Sequence, residues 1–249
     1  MSKVPTRVPR PAQQVLVTAH RGSSAEAPEN TLCAIRLAIA QGADGVEIDV
    51  QEAGDGTLVL LHDEDLQRVA GDPRGVWELD HAALAKLEAG AWFSPRFAGE
   101  PIPTLAEVLD LARGRIGLNI ELKHHGHEQH LVESALDLVR AAGMGGDCLL
   151  TSEDLGALRR VKDLAPHMRI GWIVDADPGN PRNLEINALS LHLPLATPGL
   201  IRACQAAGVE THVWTVNERV DMVRLIRLGV TSIMTDRPAV LRKVLAEGA

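Results

Sequence analysis

The sequence predicts an α/β fold, a closed (β/α)8 barrel of the TIM type with a small insertion after a β-hairpin. Three observations predict it. Short β-rich apolar runs alternate with helical patterns along nearly the whole chain. Nine such runs are present: QVLVTAH, DGVEIDV, TLVLLH, IGLNIEL, CLLTS, RIGWIV, ALSLHL, THVWTV and SIMTD. Two of them, VEIDVQE and TLVLLHD, are separated only by Ala53, Gly54, Asp55 and Gly56. A parallel crossover needs about a dozen residues or more. Asp-Gly in a short link is a hairpin signal. These two runs therefore pair antiparallel, and the eight parallel strands that remain close a barrel.

The helices fall between the strands. NTLCAIRLAIAQG ends in Gly42, a helix-stopping glycine. TLAEVLDLARG opens with Thr104 and carries Glu107 three residues later, a capping box. EQHLVESALDLVRAAG follows the same grammar, and Ser152, Thr197 and Asn217 are expected to cap the three later helices. DADPGNPRNLEIN, with two prolines and three asparagines, reads as a short or irregular turn. Residues 64–102 fit no barrel unit, hold both phenylalanines plus Trp77 and Trp92, and are expected to form an inserted lobe on the catalytic rim. Residues 1–14 read as a loose N-terminal arm, and 15–249 as a single domain.

Composition narrows the function. At 45% hydrophobic residues the chain can bury a large core, and with 2% aromatics and no tyrosine that core is aliphatic. A net charge of −8 argues against gripping nucleic acid or anionic lipid through the overall field, and leaves a local basic spot or a metal to bind an anion. Cys33, Cys148 and Cys204 are far apart with no C-x-x-C, which argues against disulfides and a zinc knuckle and for small buried apolar residues. The N-terminus lacks the apolar stretch of a secretory signal, and no run approaches the roughly 20 residues of a membrane span. A cytoplasmic protein without stable membrane insertion is the expectation; self-association stays open.

Barrel chemistry gathers at the C-terminal strand ends. There stand His20-Arg21-Gly22, Glu47 and Asp49, His62-Asp63, Glu121 and Lys123, Trp214, and Asp236. Glu47 and Asp49 are two apart and so share a face, as do Glu121 and Lys123. Acids inside apolar strands are costly unless paired or metal-bound. Three carboxylates without a thiol suit a hard divalent cation, Mg2+ or Ca2+. Any one of these acids alone reads equally well as a cap or an ordinary ion pair; their coincidence with two strand-end histidines favours a site.

HRG…PENT, GADGVEIDVQ…DGTLVLLHD, WFSPRFAGEPIPTLAEVL, NIELK, VWTVN and IMTDRP, in that order, resemble the glycerophosphodiester phosphodiesterase family over roughly residues 15–245. The resemblance implies one divalent cation held by Glu47, Asp49 and Glu121, with His20 and His62 as the acid–base pair. It implies Arg21 and Lys123 as phosphate-facing cations and Trp214 as a wall for the glycerol or its headgroup. The implied reaction converts a small glycerophosphodiester to glycerol phosphate and an alcohol. It proceeds either through a cyclic phosphate formed by the glycerol 2-hydroxyl or by direct attack of water. Two alternatives stand beside it: a lysophospholipase-D-like activity on lipids with the same site, and a non-catalytic phosphate-binding barrel, against which the intact residues argue. VAGDPRG departs from the Thr-rich wording usual after the second histidine.

Other residues have two readings each. His124, His125, His127 and His130 belong either to a solvated loop or to extra phosphate or metal contacts near the rim. Asn30 is either the N-cap of the first helix or, by the resemblance, a neighbour of the metal. Asp236 is expected to fix the closing turn, and His192 to sit in the core or on the rim. Trp172 and Trp92 are expected to pack, the latter in a lobe that could cover substrate.

Overall fold

The computed structural model describes residues 15–248, so the arm expected over 1–14 lies outside the described residues. All nine runs form strands: β1 (Leu16–His20), β2 (Gly45–Glu52), β3 (Leu58–Leu60), β4 (Gly117–Leu122), β5 (Cys148–Ser152), β6 (Ile170–Val174), β7 (Ala188–His192), β8 (Glu210–Trp214) and β9 (Ser232–Thr235). Strand order is β1-β9-β8-β7-β6-β5-β4-β2-β3, and a further β1–β2 pairing closes the ring of eight parallel strands. β3 stands outside that ring, antiparallel to β2, with Val50 opposite Leu60. The four-residue link thus makes the expected hairpin at the C-terminal end of β2.

Helices α1 (Leu32–Ala40), α4 (Leu105–Ala112), α5 (Leu131–Ala141), α6 (Leu155–Leu164), α7 (Pro198–Ala207), α8 (Arg219–Leu228) and α9 (Pro238–Ala246) cover the barrel. Between β6 and β7 only a 3-10 turn, Pro181–Asn183, replaces a helix, because its prolines remove backbone donors. The main core lies between strands and helices. Ile48, Val50, Ile120 and Leu150 face Ile35, Leu105, Leu109 and Leu158 there, all buried. Each such aliphatic side chain contributes about 1.5–3 kcal/mol. Inside the barrel the contacts include polar ones: Thr18 Oγ1 lies 2.7 Å from Ser232 Oγ, and Thr151 donates to Asn119 at 2.8 Å.

Residues 64–102 contain α2 (Gln67–Ala70), α3 (His81–Leu84) and two 3-10 turns. Leu66, Val69, Val76, Leu79, Leu84 and Ile102 form a separate apolar cluster that packs on Val59 and Leu61 of the hairpin. The segment is therefore anchored to the strand pair that ends in His62. Among the described residues, no helix is long and apolar enough to cross a membrane.

Two expected caps are corrected. α6 is capped by Asp154, whose carboxylate accepts from the Gly156 and Ala157 amides. Ser152 ends β5, and its hydroxyl donates to the Leu122 carbonyl. α8 begins after Glu218, while Asn217 donates its amide to Asp236 at 2.6 Å. In both places a long-range partner claims the side chain that local capping would use. Thr197 and the Thr104–Glu107 box cap as the sequence indicates. Gly42, at φ 77°, follows the α1 cap residue Gln41. Cys148 and Cys204 are buried, but Cys33 is only half-buried.

Candidate active site

The loop that leaves β1 is shaped to turn its side chains back onto β2. Gly22 has φ 86°, and a Cβ there would stand 2.6 Å from that of Ala34, so only glycine fits. Arg21 and Asn30 also take positive φ, 54° and 56°. The Asn30 amide donates to the Arg21 carbonyl at 3.0 Å, which closes the loop on itself. The Arg21 amide, in turn, donates to Glu47 Oε2 at 3.0 Å.

Register does the rest. β1 and β2 pair with His20 opposite Glu47. β2 and β4 pair with Glu47 opposite Asn119 and Asp49 opposite Glu121. One oxygen each of Glu47, Asp49 and Glu121 consequently lies within 4.8 Å of the others. Asn30 clamps Asp49 twice, donating to Oδ2 at 2.8 Å and accepting its backbone N–H at 3.2 Å. Arg21 Nε stands 3.1 Å from Asp49 Oδ2, an ion-pair contact not aligned as a hydrogen bond. Lys123 donates to Glu121 at 2.8 Å and lies 3.8 Å from Asp49 Oδ1. That Oδ1 is buried and has no hydrogen-bond partner.

The electrostatics match the geometry. Burial, then the charges of Asp49 and Glu121, push the Glu47 carboxyl well above its ordinary range. Burial and Asp49 push Glu121 up to about 7, partly offset by Lys123. Burial acts the same way on Asp49, but Arg21, Lys123 and His62 outweigh it and hold that carboxyl low. Clustered buried anions are unfavourable unless a cation joins them. An all-oxygen donor set with an orphaned carboxylate oxygen fits a hard divalent cation.

Both strand-end histidines are anchored at Nδ1 by carboxylates. His20 Nδ1 lies 2.8 Å from Asp236 Oδ1. Asp236 also accepts from Ser24 at 3.0 Å and Asn217 at 2.6 Å. Burial would raise the Asp236 carboxyl, but these hydrogen bonds and the His20 charge bring it to about 2. His62 Nδ1 lies 2.8 Å from Asp63 Oδ1, and Asp63 is held at about 2, chiefly by Arg68. A carboxylate at Nδ1 fixes the tautomer and leaves Nε2 for the site. His20, His62, Glu47, Glu121, Lys123 and Trp214 line one cavity at the barrel mouth.

Every residue singled out for that site is thus brought together. The contacts of Asp236 and Asp63 with the two histidines were not legible, whereas Asn30 stands where the second of its two readings put it, against Asp49. Asn30 is not the α1 cap, which is Thr31, accepting from the Ala34 amide at 3.3 Å. Arg68, bonded to Glu29 of the PENT stretch, carries no signal in the sequence. The His-rich loop turns to the inserted segment: His127 stacks on Trp77 with ring centroids 3.8 Å apart, and none of its four histidines lines the cavity. His192 is on the rim, its ring 5.1 Å from Trp214. Trp172 packs on the core and donates to the Glu153 carbonyl at 3.2 Å. Trp92 lies under Arg68 with 40% of its surface exposed.

Comparison with known proteins identifies the family. The glycerophosphoryl diester phosphodiesterase family matches residues 20–240. A glycerophosphodiester phosphodiesterase of Caldanaerobacter subterraneus is 37% identical over 246 residues, covering 94% of this chain and 99% of the relative. A phosphodiesterase of Oleispira antarctica, solved with the product sn-glycerol-3-phosphate, is 30% identical with a TM-score of 0.88, covering 94% and 97% of the two chains. The glycerophosphodiester phosphodiesterase structure from Agrobacterium tumefaciens, also 30% identical, gives a TM-score of 0.84 over 92% of this chain and 100% of that one. On fold, site and similarity together, the chain belongs to the glycerophosphoryl diester phosphodiesterase family.

Proposed function

We propose that this protein hydrolyses small glycerophosphodiesters to glycerol phosphate and an alcohol, using one divalent cation, Mg2+ or Ca2+. Glu47, Asp49 and Glu121 would hold the cation. The observation that carries this reading is the pairing of two Nδ1-anchored histidines with three convergent carboxylates at one cavity. The product complex of the Oleispira relative supports the substrate class.

The bound cation supplies Lewis acidity toward the phosphoryl oxygens. His20, as base, takes the proton of the attacking hydroxyl at Nε2. His62, as acid, gives a proton to the departing alcohol oxygen. Asp236 and Asp63 hold the two rings in orientation. Arg21 and Lys123 face the phosphoryl group and stabilise its growing charge, and Trp214 walls the glycerol side. In this reading the glycerol 2-hydroxyl attacks phosphorus. A P–O bond to it forms as the bond to the alcohol breaks, and water then opens the cyclic phosphate with the histidine roles exchanged.

Choline release from glycerophosphocholine tests the reading. A chelator is expected to abolish turnover and added Mg2+ or Ca2+ to restore it; turnover indifferent to chelation would remove the cation. H62A, folded, is expected to lose about 100-fold or more. An analogue lacking the 2-hydroxyl is expected to be inert, and normal turnover of it would replace internal attack by direct attack of water. Turnover confined to lysolipids would move the substrate to the lipid class.

A further inference from the structure

Arg68, on the short helix α2 of the inserted segment, bridges two separate parts of the active site. Its Nε and Nη2 donate to Asp63 at 2.6 and 3.1 Å. Its Nη1 and Nη2 donate to Glu29 at 3.0 and 2.8 Å. Two edges of one planar guanidinium therefore each carry a forked pair with a different carboxylate. Trp92 covers a face of the same group, with its ring centroid 5.1 Å from Cζ. The bridge continues on both sides. Asp63 Oδ1 lies 2.8 Å from His62 Nδ1. Glu29 Oε1 accepts from Arg21 Nη1 at 3.0 Å, and Arg21 reaches Asp49 and Glu47.

We propose that Arg68 is a positioning residue for hydrolysis, acting on His62 through Asp63 and on Arg21 through Glu29. This rests on the reading of the site given above. A carboxylate with one oxygen on an imidazole can rotate unless its other lone pairs are held. Arg68 occupies them on Asp63, so the His62 ring keeps its proton on Nδ1 and its angle to the cavity, and Nε2 is left to give or take the proton in transit. The same plate holds Glu29 against Arg21, which fixes the cation that meets the phosphoryl group. Lysine cannot take over, because an ammonium is a point donor without two coplanar forks. The inserted segment thereby becomes part of the catalytic arrangement and not only a cover for it.

The test compares R68K and R68Q with wild type in thermal melts, cation titration, steady-state kinetics on glycerophosphocholine and 15N NMR of the His62 ring. Both variants are expected to bind the cation within about threefold of wild type while kcat falls about 10- to 100-fold, the usual range for groups that orient a ligand or catalyst. Lysine should rescue no better than glutamine. The NMR signature of a protonated Nδ1 at His62 is expected in wild type and lost or mixed in R68Q. D63N combined with R68K should lose no more than the worse single variant, since the two act as one unit. Wild-type kcat in R68K, losses that multiply in the double variant, or an unchanged His62 tautomer in R68Q would each overturn the bridge. If neither Arg68 variant folds, D63N and E29Q divide the question: the first should lower kcat with KM little changed, and the second should raise KM. The opposite split overturns it. The tautomer is read without turnover. An inactive wild type would therefore refute the proposed reaction, while the His62 ring signals would still decide for or against the bridge.

Discussion

Asn30 adopts φ 56° and spends both ends of its amide on Asp49. Asparagine tolerates the left-handed region better than other branched or bulky residues, and here the conformation aims the side chain at a buried carboxylate. N30A would leave one buried carboxylate oxygen and one buried amide without their partner. Divalent-cation affinity is expected to fall about 10- to 100-fold, as for other residues that orient a metal ligand, measured by calorimetric titration. N30G relieves the backbone without restoring the amide and should bind as weakly as N30A; wild-type affinity in N30G would assign the effect to the backbone. In the sequence Asn30 reads either as the cap of the first helix or, by the resemblance, as a neighbour of the metal, and the structure gives the cap to Thr31. Glu47, Asp49 and Glu121 were legible because a two-residue period and an apolar setting make an acid conspicuous. Asp236 was not, since it meets His20 across 216 positions and no local pattern records that contact. Asp63 and Glu29 look like ordinary surface acids until Arg68 is seen between them.

At the scale of elements, all nine strands were legible because each is a short apolar run bounded by polar or glycine residues, and the hairpin because its link is too short for anything else. Helix ends were legible where the capping side chain has no distant competitor. Thr104 shows the favourable case: its hydroxyl accepts the Glu107 amide at 3.2 Å while Glu107 accepts the Thr104 amide at 2.8 Å. Ser152 and Asn217 show the other, where contacts to Leu122 and Asp236 prevail. The cap on α4 makes a contained prediction. T104A removes the hydroxyl and leaves an α4 amide to water, so urea unfolding should show a loss of about 1 kcal/mol. Turnover should stay near wild type, because Thr104 does not line the cavity. The inserted segment was legible as an excess of length, but its tie to His62 was not, because that tie depends on one long side chain reaching back to the barrel.

For the whole molecule, the site carboxylates and the histidine-anchoring carboxylates impose opposite pH dependences on stability. Asp63 and Asp236 sit at about 2 in the folded protein against an ordinary 3.8. The unfolded chain binds more protons between these values, so their stabilisation is complete above about pH 4 and fades as pH falls toward 2. Glu47 and Glu121 behave in reverse. With Glu121 raised from 4.5 to about 7 and Glu47 also raised, the cation-free folded protein keeps protons that the unfolded chain has released. Stability of the cation-free protein must then fall as pH rises from about 4.5 through about 7, and the net charge of −8 works in the same direction. In the reading proposed above a divalent cation would replace those protons, so its binding would release protons near neutral pH and remove the decline. At a free concentration 100-fold above Kd it adds about 2.7 kcal/mol. Thermal melts in chelator are accordingly expected to peak in mild acid and drop toward pH 7.5, while melts with Mg2+ or Ca2+ stay high across that range. E121Q should flatten the chelator curve above pH 5 and shrink the gain from cation. A chelator curve that stays level from pH 5 to pH 7.5 in the wild-type protein would show that the three acids do not share one buried site in solution.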